Sequence, residues 1–277
     1  MKYTWINGKY IEDEQACIHV SDLAIQRGYG VFDFFRLREK TPFLLSHYLD
    51  RFWHSAKELH LKPPVSKKEL SLIIHEFIEK NQLENHGIKM ILTGGYAQDG
   101  YIPMEPNMII RAYAITMPTP EKYQVGYRVM TNEYQRGTPE SKSIDYRHGI
   151  SLIPRLKERR LDDVLYVSGG IISEFPRSNF FMVDQQDRIV TPKRNILNGI
   201  TRRVLLQISR EHYVVETRDV LVDELLIAKE AFLTSTTRLV MPVCEIDNHK
   251  IGNGIPGQVT KHLTQLMQDL PTDFELI

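Results

Sequence analysis

Two short segments of the sequence combine residue types that suit the binding of an anion. NGIT at residues 198–201 precedes the helical pattern RRVLLQIS, and the first amides of a helix lack internal partners and attract phosphate. TSTTR at residues 234–238 follows the apolar AFL, so hydroxyls and a guanidinium at a strand end could grip a phosphate or a carboxylate. Each segment has an ordinary alternative, namely a glycine turn with Thr201 as helix cap, or a threonine-rich strand.

Three further charged side chains are candidates, although a solvated residue would also explain each of them. Arg51 lies in an amphipathic helical pattern beside Asp50 and His54, where a surface ion pair is the ordinary alternative. Glu174 follows the apolar IIS and could be a solvated loop acid, and Lys142 lies in a polar loop. An amine of this kind can also act as a nucleophile towards a carbonyl group.

Several catalytic and metal-binding patterns are missing from the sequence. His75 and Glu76 are not followed by the second histidine that a zinc protease requires. Cys17 and Cys244 lack the spacing of a redox or metal motif. The sequence also contains no G-x-S-x-G, P-loop or G-x-G-x-x-G motif. We therefore expect no metal site.

The composition excludes some classes of partner and favours a globular chain. Of 277 residues, 42% are hydrophobic, and 35 Lys and Arg balance 35 Asp and Glu, so there is no basic excess of the kind that nucleic-acid binding needs. The amino-terminal segment soon turns polar, unlike a signal peptide. No apolar stretch approaches the length that spans a membrane. We expect a cytoplasmic protein with no nucleic-acid and no membrane partner.

In the first half of the chain, turn and cap signals predict the elements that would position these residues. Asn7 and Gly8 separate two short strands, as in a type I′ hairpin. A short helix is predicted to open at Ser21, a strand over residues 31–37, and a helix capped by Ser46. Residues 66–69 form a capping box before another helix, and two further strands follow.

In the second half, short strands outnumber helices. MPTPEK at residues 117–122 is the best candidate for a linker. A strand follows it, then a helix containing Pro154, two hairpin-like units, a helix after residue 199, further strands and a terminal helix. Because helices and strands do not alternate regularly, the fold class is predicted to be α+β.

Read in order, these segments resemble the class IV aminotransferases, which include D-amino-acid transaminases, branched-chain aminotransferases and aminodeoxychorismate lyases. The resemblance rests on WINGKYI, AIQRGYGVFDFFR, HYLDRFWHSAKEL, SKSIDY, SEFPRSNFF, LNGITRRVLL and TSTTRLVMPV. It implies pyridoxal 5'-phosphate as cofactor, with Lys142 as its Schiff-base lysine and Glu174 as the partner of its ring nitrogen. The residues that it implies around the cofactor phosphate are Arg51, Ile200, Thr201, Ser235 and Thr236.

The same resemblance implies an architecture and a partner. It predicts a small amino-terminal α/β domain over residues 1–116, a linker over 117–122 and a larger, β-rich, cofactor-binding domain over 123–277, with the cofactor between the domains. It also implies amino acid and 2-oxo acid substrates and a homodimer, since members of the family borrow a loop from the neighbouring subunit.

The substrate is less clearly indicated by the sequence. STTR and RSN are nearer to the D-amino-acid branch, and the alternatives are a branched-chain L-amino-acid aminotransferase and an aminodeoxychorismate lyase. YAQDGY at residues 96–101 offers no cation where D-amino-acid relatives carry an arginine and a histidine, and Phe32 replaces a common tyrosine. The substrate carboxylate is therefore predicted to bind a relocated arginine, one of Arg27, Arg177 or Arg238.

Overall fold

The computed structural model describes residues 1–277 and divides into two compact units. Unit 1 comprises Met1–Thr116 together with Ser141–Asp145, and unit 2 comprises Met117–Glu140 together with Tyr146–Ile277. The predicted boundaries differ from this division in two respects. The predicted linker over residues 117–122 belongs to unit 2. The segment that contains Lys142 groups with unit 1, although the sequence assigned it to the domain over residues 123–277.

Unit 1 is a six-stranded antiparallel sheet with three helices. Its elements are β1 (Tyr3–Ile6), β2 (Lys9–Glu12), α1 (Leu23–Arg27), β3 (Gly30–Arg38), β4 (Thr41–Pro42), α2 (Leu45–Glu58), α3 (Lys67–Asn81), β5 (His86–Thr93) and β6 (Met108–Ala114), with a 3-10 turn at Asp13–Gln15. The strands are ordered β2-β1-β6-β5-β3-β4. Strand β3 alternates buried and partly exposed residues along its length, as expected when one face of a strand packs on a core.

Two local predictions for unit 1 are confirmed. Asn7 and Gly8 both have positive φ angles at the β1–β2 turn, which a type I′ turn requires. At the start of α3, Ser66 Oγ accepts from Glu69 N, and the Glu69 carboxylate accepts from Ser66 N. The capping box therefore forms as its spacing predicts.

Two predicted helix caps in unit 1 are wrong. Helix α2 begins at Leu45 with Leu44 as its N-cap, and no side chain caps it, so Ser46 lies within the first turn. Helix α1 begins at Leu23 rather than at Ser21, because Asp22 is the N-cap and its carboxylate accepts from Ala24 N at 2.7 Å. A short polar residue near a helix start predicts a cap, but the exact position depends on the turn before it.

Unit 2 is built on an eleven-stranded mixed sheet. Its elements are α4 (Pro120–Val125), β7 (Tyr127–Glu133), α5 (Arg147–Ser151), α6 (Ile153–Arg159), β8 (Asp163–Ser168), β9 (Ile171–Ile172), β10 (Glu174–Phe175), β11 (Ser178–Val183), β12 (Ile189–Pro192), α7 (Ile200–Ser209), β13 (Val215–Arg218), β14 (Val220–Leu221), β15 (Glu230–Ser235), β16 (Leu239–Ile246), β17 (His249–Lys250) and α8 (Gln258–Gln268), with a 3-10 turn at Val222–Leu226.

The sheet of unit 2 is ordered β13-β12-β11-β15-β16-β7-β8-β9-β14, with β10 paired to β11 and β17 paired to β16. Three neighbouring pairs are parallel, namely β12 with β13, β16 with β7, and β7 with β8. The large core of unit 2 packs side chains from most of these strands, including Phe175, Phe180 and Leu233. The predicted α+β class is confirmed, with mixed and antiparallel sheets in place of regular βα alternation.

Two prolines explain where unit 2 departs from the predicted elements. Pro120 lies within the predicted linker but begins helix α4, because proline is well suited to a first helical turn, where its missing N–H costs nothing. Pro154 divides the single predicted helix into α5 and α6 and lies in the first turn of α6. None of the helices is long and apolar enough to cross a membrane.

Candidate functional site

The backbone of Lys142 is fixed within unit 1 by strand-like pairing with β3. Phe32 N donates to Lys142 O at 2.9 Å, and Ile144 N donates to Gly30 O at 3.0 Å. Lys142 N donates to Ser55 Oγ of α2 at 3.0 Å. These bonds to two different elements set the direction in which the lysine side chain leaves the backbone.

Gly30 allows this close approach of the lysine segment. A Cβ atom at residue 30 would lie 2.7 Å from Leu92 O and 3.1 Å from Ile144 Cδ1, so a larger residue would push the segment away. Lys142 Nζ lies 4.7 Å from the centre of the Phe32 ring. The amine thus lies beside an aromatic face of strand β3.

Arg51 of helix α2 binds a buried carboxylate of strand β3, the strand that also pairs with the Lys142 segment. Arg51 Nε and Nη2 donate to the two oxygens of Asp33 at 2.9 and 2.7 Å, and the Asp33 side chain is fully buried. The surface ion pair considered for Arg51 is wrong, because Asp50 pairs with Lys67 instead. Arg51 lies one helical turn before Ser55, the residue that holds the Lys142 backbone.

Glu174 is buried in unit 2, at 4% exposure, so the solvated loop acid is wrong. One carboxylate oxygen accepts from Arg136 Nη1 at 2.9 Å. The other accepts from Leu197 N at 2.9 Å and from Asn179 Nδ2 at 3.3 Å. Hydrogen bonds and a neighbouring cation favour the ionised form of a carboxyl group, so this setting stabilises the Glu174 carboxylate.

Asn179 connects Glu174 to the start of α7 and to the end of β15. It pairs with Glu174 across β10 and β11 and with Thr234 across β11 and β15. Its Nδ2 also donates to Leu197 O at 2.8 Å. A Cβ atom at Gly199 would lie 2.2 Å from Asn179 Oδ1, so a larger residue there would displace the Asn179 side chain. One side chain therefore brings three predicted parts of the site together within unit 2.

The start of α7 and the end of β15 leave polar groups without protein partners. The N-cap of α7 is Gly199, and no side chain caps the helix, so Thr201 as helix cap is wrong. Thr234 Oγ1 and Ser235 Oγ are buried and make no hydrogen bond. Buried hydroxyls are nearly always hydrogen-bonded in proteins, and uncapped helix amides attract anions. We call residues 199–201 and 234–236 the anion cradle, and their donors fit the phosphate of the predicted cofactor.

The three predicted carboxylate arginines are in different settings. Arg238 Nη1 donates to Asp163 Oδ2 at 2.9 Å and to Ser178 Oγ at 3.2 Å. Burial raises the pKa of Asp163, and the charges of Arg238 and Arg177 partly oppose that rise. Arg177 is exposed and makes no ion pair, and Arg27 is exposed and donates only to Gln26 O. Arg27 belongs to unit 1, whereas the other two belong to unit 2.

Two residues of this site were not singled out from the sequence. Arg136 lies 38 residues before Glu174, in a polar loop where an arginine gives no distinctive signal. Asn179 lies in SEFPRSNFF, which contains the predicted Glu174 and Arg177, but the asparagine itself gives no distinctive signal. No group of three or more His, Cys, Asp or Glu side chains is placed to hold a metal ion.

Comparison with known proteins agrees with the order of these features. The family model described as "Amino-transferase class IV" matches residues 30–246. A D-alanine aminotransferase from Bacillus licheniformis is 30% identical over 270 residues, which is 95% of each chain. A putative branched-chain-amino-acid aminotransferase from Methanocaldococcus jannaschii is 29% identical, over 97% of this chain and 96% of that protein.

Solved structures show the same architecture. A crystal structure of the T.th. branched-chain amino acid aminotransferase with pyridoxamine 5'-phosphate has a TM-score of 0.89 and 26% identity, covering 96% of this chain and 93% of that one. The Escherichia coli branched-chain amino acid aminotransferase has a TM-score of 0.88 and 26% identity, covering 97% and 94% of the two chains.

Proposed function

Because the chain belongs to the class IV aminotransferase family, we propose that Lys142, Glu174 and the anion cradle form its cofactor site. The enzyme is a transaminase that uses pyridoxal 5'-phosphate to move an amino group between an amino acid and a 2-oxo acid. When bound, this cofactor acts as an electron sink for a carbanion. The observation that carries the proposal is the pair of unpartnered hydroxyls, Thr234 Oγ1 and Ser235 Oγ, near the buried carboxylate of Glu174.

In this proposal Lys142 carries the covalent link to the cofactor and moves a proton. With the cofactor bound, the Lys142 amine would hold it covalently, and once free, Nζ would move the α-proton of the substrate. The bonds from β3 and Ser55 to its backbone would keep Nζ in one place during both steps. We propose that the two units correspond to the predicted small domain over residues 1–116 and the cofactor-binding domain over residues 123–277.

Glu174 is proposed to hold a proton on the ring nitrogen of the cofactor. A carboxylate does this as an anion, and Arg136 together with Leu197 N favours that anion. Ile200, Thr201, Ser235 and Thr236 are proposed to bind the phosphate. Arg51 is a further predicted phosphate ligand, and its bidentate contact with Asp33 fixes the position of the guanidinium.

The test of this site is reductive trapping followed by peptide mapping. Borohydride should attach the cofactor irreversibly to the peptide that contains Lys142, and mass spectrometry should place the label on that residue. Lys89 is the matched control, because its Nζ also lies beside the Phe32 ring, at 5.2 Å. Label on Lys89 or on any other lysine would refute the assignment of Lys142.

We propose that the substrates are D-amino acids, on the support of the relative from Bacillus licheniformis named a D-alanine aminotransferase. A branched-chain L-amino acid substrate is the second candidate, because the similar solved structures carry that name. A panel of D- and L-amino acids, followed by the absorbance of the cofactor, separates the two. Activity confined to L-leucine, L-isoleucine and L-valine would overturn the proposal, and pyruvate release from aminodeoxychorismate would indicate a lyase instead.

For the substrate carboxylate, we propose an arginine outside the YAQDGY loop. A carboxylate that enters a closed pocket needs a compensating cation, and Arg177 and Arg27 are exposed and make no ion pair. Arg238 is the third candidate, but it would first have to release Asp163. Arg177 is therefore favoured, because it follows the strand that carries Glu174 and needs to break no existing bond.

We also propose a homodimer, supported by an apolar patch on unit 1. Ile25, Tyr101, Ile102 and Met104 are all at least half exposed, and exposed apolar patches often mark protein interfaces. Backbone bonds from Leu23 N to Gly95 O and from Ala97 N to Ser21 O join the two segments that carry the patch. Replacing Ile102 with lysine should shift the mass measured by light scattering from dimer towards monomer, and a monomeric wild type would refute the proposal.

A further inference from the structure

Arg202 is a buried guanidinium without a carboxylate partner. It is the third residue of α7 and is 7% exposed. Nη2 donates to the backbone oxygen of Pro192 at 3.0 Å, and Nε donates to Thr191 Oγ1 at 3.4 Å. Both acceptors are neutral, so these bonds orient the guanidinium without cancelling its charge.

An unpaired buried charge is costly and therefore uncommon in proteins. Burial lowers the pKa of Arg202 to about 10, while the charge of Glu174 acts in the opposite direction, so the side chain stays positive at neutral pH. Glu174 already accepts a hydrogen bond from Arg136. Two guanidiniums thus share the influence of one carboxylate, and this part of unit 2 retains an excess positive charge.

The anion cradle adjoins the backbone and the Cβ atom of Arg202. Ile200 and Thr201 precede Arg202 in the first turn of α7, and a Cβ atom at Gly199 would lie 3.5 Å from Arg202 Cβ. The unpartnered groups of the cradle are hydroxyls and amides, which carry no net charge, and a helix start supplies only about half a unit charge. Arg51, the further predicted phosphate ligand, already shares its charge with Asp33, so a bound phosphate dianion would remain undercompensated without another cation.

We infer that Arg202 is a buried counter-charge for the phosphate group that the anion cradle binds, acting through its electric field rather than by direct contact. The inference rests on the proposed cofactor site and adds a residue to it. Neutral hydrogen-bond acceptors hold the guanidinium in place, so its charge stays available to an incoming anion. In the absence of phosphate the same charge should destabilise the folded chain, because nothing nearby neutralises it fully.

The test compares the wild type with Arg202→Met, Arg202→Gln, Arg202→Lys and the control Arg203→Gln. Arg203 is the next residue of α7 and is partly exposed, so its variant loses the same charge from the same helix without emptying a buried site. For each apoenzyme the measurements are the thermal unfolding midpoint, its increase with inorganic phosphate, and the dissociation constants of pyridoxal 5'-phosphate and of pyridoxal, which lacks the phosphate.

Arg202→Met should bind pyridoxal 5'-phosphate about tenfold more weakly or worse, as expected for losing one nearby charge in a poorly solvated site. Its affinity for pyridoxal should be unchanged, its stabilisation by phosphate should largely disappear, and its unfolding midpoint without phosphate should be equal to or above that of the wild type. Arg202→Lys should keep most of the affinity, because it keeps the charge. Arg203→Gln should resemble the wild type in every measurement.

Three outcomes would overturn the inference. Equal losses of affinity for pyridoxal and pyridoxal 5'-phosphate would place the effect at Glu174 and the ring instead of at the phosphate. An unchanged affinity for the cofactor, with a lower unfolding midpoint, would make Arg202 a structural residue only. If Arg202→Met fails to fold, the other two variants still test the inference. A loss of affinity for pyridoxal 5'-phosphate in Arg202→Lys as large as that in Arg202→Gln would refute a role for the charge. Failure of the wild type to bind the cofactor would instead refute the proposed function.

Discussion

Asp33 in unit 1 and Glu174 in unit 2 are both buried carboxylates bound to an arginine, but their remaining contacts differ. Asp33 binds one guanidinium through both oxygens and also accepts from Phe34 N. Glu174 divides its oxygens between Arg136 and two neutral donors, one of which also contacts the anion cradle. The bidentate pair of Asp33 joins strand β3 to helix α2. The Glu174 carboxylate is instead held by several single hydrogen bonds, an arrangement that suits contact with a ligand.

The same contrast extends to the other polar groups of the two units. Arg51 binds the carboxylate of Asp33 within unit 1, and Arg238 binds the carboxylate of Asp163 within unit 2. Near α7, by contrast, Thr234 Oγ1, Ser235 Oγ and the charge of Arg202 lack full compensation. Tyr10 Oη and Ser209 Oγ are also buried without a hydrogen bond, but only Thr234 and Ser235 are adjacent residues. Unsatisfied buried groups are uncommon in proteins, so this adjacent pair indicates a binding site.

Breaking the ion pair of Asp33 with Arg51 in unit 1 should give the largest effect, and that effect should be on the free energy of unfolding. Asp33→Ala removes the buried carboxylate that binds Arg51, and breaking a buried ion pair in this way typically costs about 3–5 kcal/mol. Denaturant unfolding measures the free energy directly. Asp50→Ala is the matched control on the exposed pair with Lys67, and it should cost less than about 1 kcal/mol. Equal losses in both variants would mean that the Asp33 pair contributes no more than a surface contact.

Changing Glu174 should affect turnover. Glu174→Gln keeps the shape of the side chain but cannot hold the ring nitrogen of the cofactor protonated, so turnover should fall about 10²–10³-fold while the cofactor remains bound. Single-turnover absorbance measurements separate these two properties. Glu224→Gln, which alters a partly exposed pair with Arg218, should leave turnover unchanged. Near-normal activity of Glu174→Gln would show that Glu174 has the same structural role as Asp33.

The comparison of these carboxylates also shows what the sequence could predict. Local signals were sufficient for the hairpin at Asn7 and Gly8 and for the capping box at Ser66, since each depends on a few neighbouring residues. The order of motifs selected Glu174 as a candidate, although its immediate neighbours suggested only a loop acid. Its burial results from pairing with β11, which no local pattern specifies.

The partners of the site could not be predicted, because they are distant in the chain or are themselves unremarkable residues. Arg136 meets Glu174 across 38 positions, and Asn179 meets Leu197 O across 18. The local sequence leaves Thr201 open between a helix cap and a phosphate ligand, because a threonine near a helix start is more often a cap. The structure instead has an uncapped start at Gly199, and only the three-dimensional arrangement distinguishes these cases.

The smallest expected effect concerns the proposed contact with the substrate carboxylate. It compares Arg177, which makes no ion pair, with Arg238, which is paired with Asp163. Arg177 makes no ion pair, so Arg177→Ala removes no structural bond and should leave the unfolding midpoint and the cofactor spectrum unchanged. Its apparent KM for amino donors should rise about tenfold, as expected for the loss of a charge-assisted hydrogen bond.

Arg238→Ala should instead lower stability, because Asp163 would remain buried without its main cation. A raised KM in Arg238→Ala, with an unchanged KM in Arg177→Ala, would assign the contact with the substrate carboxylate to Arg238. If Arg27→Ala also has a normal KM and kcat, and neither of the other two variants changes KM, none of the three arginines binds the carboxylate and the proposal of a relocated site is wrong.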